Sequence, residues 1–319
     1  MATIGARMVA APSARRPPRP GAVAALRAPA VGQQHQSGAR IDTSVWHLQL
    51  FLAYARFLAR YHRHRVVHIE RLDALLQRGR RVVLVGNHVL DVTDALLFTA
   101  ALLERFGRIP CFIGHENFIF GLPGLRELAT QYGMIPSRHM QEASDALRRD
   151  GLLMLYPGSG SEAARRNYRA EPYRLKWENR FGFLRLALRY DAEIVFVAAV
   201  GIDEMYYQSR FEIPPWLLRR LSAERYRGSH LQFGLLGPHL LPTLLPLPVQ
   251  ITHVVSRPFD LGDRAAARHS RSALAALQRH IWDQSQSLLT RALALRARTA
   301  PPLDRAVRAG ERMLQRIGL

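Results

Sequence analysis

The chain has 319 residues, enough for one large α/β domain with tails or for two small domains. Its 48% hydrophobic content excludes a wholly disordered chain, and its single cysteine, Cys111, excludes an intrachain disulfide framework and a cysteine-based zinc cluster. A formal charge of +20, from 45 basic against 25 acidic residues, attracts polyanions, phospholipid headgroups and nucleic acid alike. All the basic residues but Lys176 are arginine. Residues 1–40 carry six arginines, no acid and the Pro/Arg/Ala stretch Pro12–Pro20, which predicts a disordered basic tail.

From Ser44 to Tyr61 an aromatic, apolar pattern covers most of a helix, and Arg56, Arg60, Arg63 and Arg65 gather at its end. Asp42, Thr43 or Ser44 could cap it. The run is too short and too interrupted to span a bilayer. It suits either the membrane interface or ordinary packing on a core.

Short apolar runs then alternate with helical patterns. Val82–Val85, Cys111–Ile113, Leu152–Tyr156 and Ile194–Val200 read as buried strands, and Ala95–Arg105, Leu122–Tyr132, Met140–Arg149 and Phe183–Tyr190 as helices. This alternation predicts a layered, mixed α/β fold with a largely parallel sheet flanked by helices. Residues 205–249 break the rhythm. Their prolines, including Pro238, Pro242, Pro246 and Pro248, argue against a spanning helix and for an apolar surface loop or lid. A strand at Gln250–Val255 and helices over 264–299 and 303–317 follow. The resulting division is a tail at 1–40, a main domain at 41–262 including the N-terminal amphipathic helix, and C-terminal helices at 263–319.

Two segments carry chemistry. In Val82–Asp94 a buried strand ends at Gly86-Asn87, with His88 at its carboxyl end and Asp91, Thr93 and Asp94 opening the next helix. Ligand and catalytic groups of open α/β sheets collect at such edges. A carboxylate on one ring nitrogen would fix the histidine tautomer and leave the other nitrogen to accept a proton. A strand-end histidine followed by ordinary capping acids has the same spelling. In Leu152–Glu162 a second strand enters the turn Gly158-Ser159-Gly160-Ser161, whose amides can bind an anion or oxyanion. It has neither a complete G-x-S-x-G nor a P-loop lysine. No metal-ligand spacing is apparent, and His115 and His139 read as structural.

Together these segments resemble the glycerolipid acyltransferase superfamily of PlsC type, within it the monoacylglycerol and diacylglycerol acyltransferase-like branch. The resemblance rests on Asn87-His88 followed by an aspartate, Gly133–Arg138, Tyr156-Pro157-Gly158-Ser159-Gly160-Ser161-Glu162, Trp177-Glu-Asn-Arg180-Phe-Gly182-Phe183 and Ala199-Val200-Gly201 in order, over about residues 45–290. Two departures stand out. His88 to Asp94 is His-x5-Asp where the superfamily has His-x4-Asp, and Ser161 replaces an arginine that Arg165 or Arg166 could supply.

The resemblance implies the glycerolipid acyltransferase fold and an acyl transfer in phospholipid or glycerolipid metabolism. His88 would be the general base and Asp94 its orienting carboxylate. Asn87, Arg138, Gly158, Ser159, Gly160, Ser161 and Glu162 would contact substrates. No cofactor is implied: acyl-CoA or acyl carrier protein is the thioester donor and a glycerolipid hydroxyl the acceptor, on mono- or diacylglycerol or a lysophospholipid. The expected setting is peripheral, on the membrane lipid surface at the cytoplasmic face of the cell membrane, with no nucleic-acid partner. Two rivals are a catalytically silent lipid-binding relative and a basic nucleic-acid-binding protein.

Overall fold

The structure, a computed structural model, describes residues 45–89, 91–114, 129–130, 132–163, 168, 170–177, 179–220, 228–235, 237–238, 246–299 and 301–316. The expected tail, the cap candidates at 42–44, His115, most of the helix expected at 122–132, and Arg165 and Arg166 lie outside the described residues.

The fold is α/β. Seven strands form the main sheet: β1 Arg65–Val67, β2 Val82–Gly86, β3 Cys111–Gly114, β4 Met134–Pro136, β5 Leu152–Leu155, β6 Glu193–Val200 and β10 Thr252–Val255. Their spatial order is β1-β10-β6-β2-β5-β3-β4, and β10 against β6 is the single antiparallel pairing. Every residue of β2 and β5 is buried, which is why both read as unbroken apolar runs rather than as alternation. β1, β4 and the helix Glu70–Gln77 were not expected, because two of them are three-residue edge strands too short to show a period.

β2, β3, β4, β5 and β6 run in one direction, so their carboxyl ends share one edge of the sheet. The chain leaves β2 towards β3 on one side, whereas β6 lies on its other side. The ends of β2 and its neighbours therefore border the crevice where such sheets hold ligands.

Helix Trp46–Tyr61 packs one face on the core, as the second reading of its sequence expects. Leu48, Leu52 and Ala55 pack against Ala100, Leu103 and Ile109 around helix Thr93–Phe106. The opposite stripe stays in the open: Trp46 is 75% exposed, Leu50 64%, Tyr54 53% and Phe57 50%. The 205–249 stretch is not a plain loop. It holds helix Pro215–Arg220 and a three-stranded antiparallel sheet of β7 Tyr207–Glu212, β8 His230–Gly234 and β9 Gly237–Pro238. Of its described prolines, Pro214 lies in a connection, Pro215 at a helix start, Pro238 in an edge strand, and Pro246 and Pro248 outside helix and strand, where no inner ladder bond is lost. The expected helix over 264–299 divides at Ser270 into Arg264–His269 and Arg271–Thr299, and Pro302–Arg316 follows. No helix among the described residues is long and apolar enough to cross a membrane.

A buried histidine pair joins β1 to the sheet. His64 Nε2 lies 2.8 Å from His253 Nδ1, and the His253 ring packs on Phe98. Burial lowers the His64 pKa from 6.5 to about 4 and pushes His253 well below its usual range. The unfolded chain takes up protons below about pH 6.5 that folded His64 resists until about pH 4, and His253 adds a shift in the same direction. Stability is therefore present above pH 6.5 and lost as pH falls towards 4, by about 3 kcal/mol for a shift of this size. A His64→Leu/His253→Leu protein should show a flatter loss of Tm between pH 6.5 and 4.5 than the wild type. Parallel curves would mean that the pair does not titrate on unfolding.

Candidate active site

His88 follows the last residue of β2 and is fixed from both neighbouring strands. On one side, the Asn87 amide continues the ladder to β6: Nδ2 donates to the Ala199 carbonyl and Oδ1 accepts from the Ala199 amide, both at 2.8 Å. On the other, the His88 amide donates to Glu162 Oε1 at 2.7 Å, and Glu162 Oε2 accepts from the Lys176 amide at 2.9 Å. Asn87 and Glu162 are buried, with both ends of each side chain committed to backbone. They brace the histidine loop. Asn87 directly follows the Gly86–Val197 register pair, which sets its side chain beside β6.

The imidazole itself lies flat on Tyr156, with ring centroids 4.4 Å apart and planes 2° from parallel. Tyr156 directly follows the neighbouring strand β5, and its hydroxyl donates to Asp94 Oδ2 at 2.9 Å. A Cβ on Gly86 would come within 2.7 Å of the Tyr156 ring, so the glycine before Asn87 makes the space in which that ring lies. Gly158 is required for a similar reason: a Cβ there would run into the Glu162 side chain. At Gly160 a Cβ would meet nothing within 4 Å. The turn thus has a packed end at Gly158 and an open end at Gly160.

Ser159 takes a left-handed backbone conformation, φ 49°, as the chain turns into the short helix Ser159–Ala163. Its amide donates to the Tyr156 carbonyl, and the Glu162 amide to the Gly158 carbonyl. Gly160 and Ser161 sit in a first helical turn, where amides have no intrahelical acceptor.

The two aspartates after His88 have separate tasks. Asp91 Oδ1 accepts from the Thr93 amide at 2.5 Å, capping the helix Thr93–Phe106, while Oδ2 accepts from Tyr206 Oη at 2.7 Å. Asp94 is fully enclosed, and its Oδ1 has no hydrogen-bond partner among the described residues. Burial raises its pKa to about 7, against the opposing pull of the Tyr156 hydroxyl. Of the two aspartates, Asp94 is therefore the one held in the interior, and Tyr156 touches both it and His88.

Arg138 is exposed two residues beyond β4, at the same sheet edge, with Nε near His139 Nε2. Three strand spacings separate β4 from β2, roughly 14 Å. Trp177, from the aromatic block, is a core residue, edge-on to Phe183 and Phe196. Gly201 has φ 100° and leaves room for the Gln250 carbonyl.

Residues 64–200 match the Acyltransferase family model. The matched acyltransferase segment runs from the start of β1 to the end of β6 and holds His88, Asp94, Arg138 and the 156–162 turn. It supports the glycerolipid acyltransferase superfamily, and with it acyl transfer as the general activity.

Several features of the site were not read from the sequence: the Tyr156 stack, the clearance at Gly86, and the Tyr206 bond to Asp91. The glycine immediately before Asn87-His88 was the available signal, since a glycine at the end of a buried strand marks a close approach.

Proposed function

We propose that the protein transfers a fatty acyl chain from a thioester donor, acyl-CoA or acyl carrier protein, to a glycerolipid hydroxyl, with His88 as general base. The reading is carried by one observation: a partly exposed histidine, braced on both sides, at the carboxyl edge of β2 inside the acyltransferase match. The acceptor oxygen gives its proton to the His88 imidazole and attacks the thioester carbonyl carbon. The oxyanion that forms needs donors, and the amides of Gly160 and Ser161 at the open end of the turn are suited to it. When the C–S bond breaks, the imidazolium returns its proton to the leaving thiolate. The products are an ester and a free thiol.

A lipid surface fits the outer face of helix Trp46–Tyr61. Trp46, Leu50, Tyr54 and Phe57 recur at helical spacing on the side away from the core, the arrangement of an interfacial helix. Burial and then the Asp91 carboxylate raise the Tyr54 pKa, so the phenol on this face stays neutral.

The acceptor we favour is neutral, a mono- or diacylglycerol. Arg138 is one guanidinium where the resemblance leads one to expect two, and the donor's phosphates compete for it. Flotation with anionic liposomes containing diacylglycerol or lysophosphatidate, followed by kcat/KM on each, tests both points. Flotation that weakens with salt, with diacylglycerol preferred, is the expected result. A preference for lysophosphatidate that disappears in Arg138→Ala would show that Arg138 reads a charged acceptor.

A further inference from the structure

We propose that Tyr156 is a positioning residue for His88, whose ring face orients the imidazole and favours its protonated form, and whose hydroxyl couples it to Asp94. The inference rests on the reading of His88 as the base and deepens it. Three observations lead to it. The parallel stack, at 4.4 Å and 2°, puts the imidazole over the π face of the phenol. That face carries negative charge density, so it attracts a ring that has become a cation. The same phenol donates its proton to Asp94, which draws electron density back into the ring and ties its rotation to the helix Thr93–Phe106. Finally, Gly86 leaves the space that the ring occupies, and Phe112 packs against the ring at a centroid distance of 5.5 Å. The ring is thus held by β2, β3 and the Asp94 helix, and its orientation does not depend on substrate.

The charged groups around this unit come from two segments. Asp94 and Asp91 stand at the start of helix Thr93–Phe106, and Glu162 reaches the His88 amide from the 156–162 turn. Burial and then the Asp94 carboxylate raise the Tyr156 pKa well above its usual value, so the phenol keeps its proton and remains a donor. A phenol that stays neutral can sense the charge of Asp94 on one side and of His88 on the other. Removing the hydroxyl takes from Asp94 its one side-chain donor among the described residues, which favours the neutral acid and withdraws negative charge from beside the Tyr156 ring.

The experiment is an NMR titration of the His88 imidazole in the full chain, assigned with His88→Gln, in wild type, Tyr156→Phe and Tyr156→Leu. Tyr156→Phe keeps the ring and the packing, so it decides the matter even where Tyr156→Leu does not fold. The His88 midpoint is expected to move to lower pH by roughly half a unit in Tyr156→Phe and further in Tyr156→Leu. The acid limb of the kcat/KM profile should move with it. The kcat should fall about three- to tenfold with KM nearly unchanged, because Tyr156 acts through His88. A His88 midpoint unmoved in folded Tyr156→Phe overturns the inference, whatever the rate does. Absence of acyl transfer in the wild type would instead overturn the functional reading, and the titration would still report on Tyr156.

Discussion

A His88→Ala protein is expected to lose acyl transfer by at least about a hundredfold while unfolding close to the wild-type temperature. General-base removal alone has this size, since a positioned proton acceptor contributes roughly a hundred- to ten-thousandfold. The fold should tolerate the change because the links that hold the loop do not use the imidazole. The His88 amide still donates to Glu162, and the Asn87 side chain still pairs with Ala199. The lost ring stack on Tyr156 is a contact of about 1 kcal/mol. The kcat/KM ratio, measured beside a thermal melt, checks both halves. Turnover near the wild-type rate in a folded protein would remove His88 from the mechanism.

Arg296→Met should be the most destabilising single change away from the site. Arg296 is buried near the end of helix Arg271–Thr299, where it donates to both oxygens of Asp304, to Glu204 Oε1 and to the Gln250 carbonyl. Asp304 is buried too and accepts from the Gln250 amide, and Glu204 accepts from the Tyr173 hydroxyl. Removing the guanidinium leaves two carboxylates in the interior without their counter-charge. Breaking one partner of a buried pair typically costs about 3–5 kcal/mol. The triple change Arg296→Met/Glu204→Gln/Asp304→Asn should recover much of that loss, because no uncompensated charge remains. Urea unfolding of the two variants checks this; a loss below about 1 kcal/mol in Arg296→Met would show that the guanidinium does not hold these segments together.

This network also matters to the site. Glu204 and Asp203 lie in the loop after β6, where Asp203 accepts from the Tyr173 amide, and two residues on Tyr206 donates to Asp91. The C-terminal helices thereby brace the loop that reaches the histidine segment.

The sheet was legible because its central strands are buried on both faces. Val82–Val85 and Ile194–Val200 could be read as strands from continuous apolar runs alone, and their order with intervening helices implied the parallel arrangement. The small β7-β8-β9 sheet was not legible. Its strands mix Gln208, Arg210, His230 and Gln232 with apolar residues, and prolines surround it, so neither period emerges.

At the site, His88, Asp94 and the 158–162 turn could be placed at one sheet edge from strand ends. What the side chains do there could not. Glu162 and Asn87 look like ligand-facing polar residues in a linear sequence, yet both satisfy backbone amides of neighbouring segments. Tyr156 looked like the last apolar residue of a strand, and its place beneath His88 depends on the register of β5 against β2. Arg296 was one arginine among many, and nothing local marks it as buried.

The central claim is base-catalysed acyl transfer from a thioester to a lipid hydroxyl. Its most direct test is a single-turnover incubation of the full-length protein with acyl-CoA carrying a labelled acyl chain and micellar diacylglycerol, with ester and free thiol quantified together. One labelled ester is expected for each thiol released in the wild type, and neither above background in His88→Ala. Thiol release without ester, or equal ester from the two proteins, would contradict it.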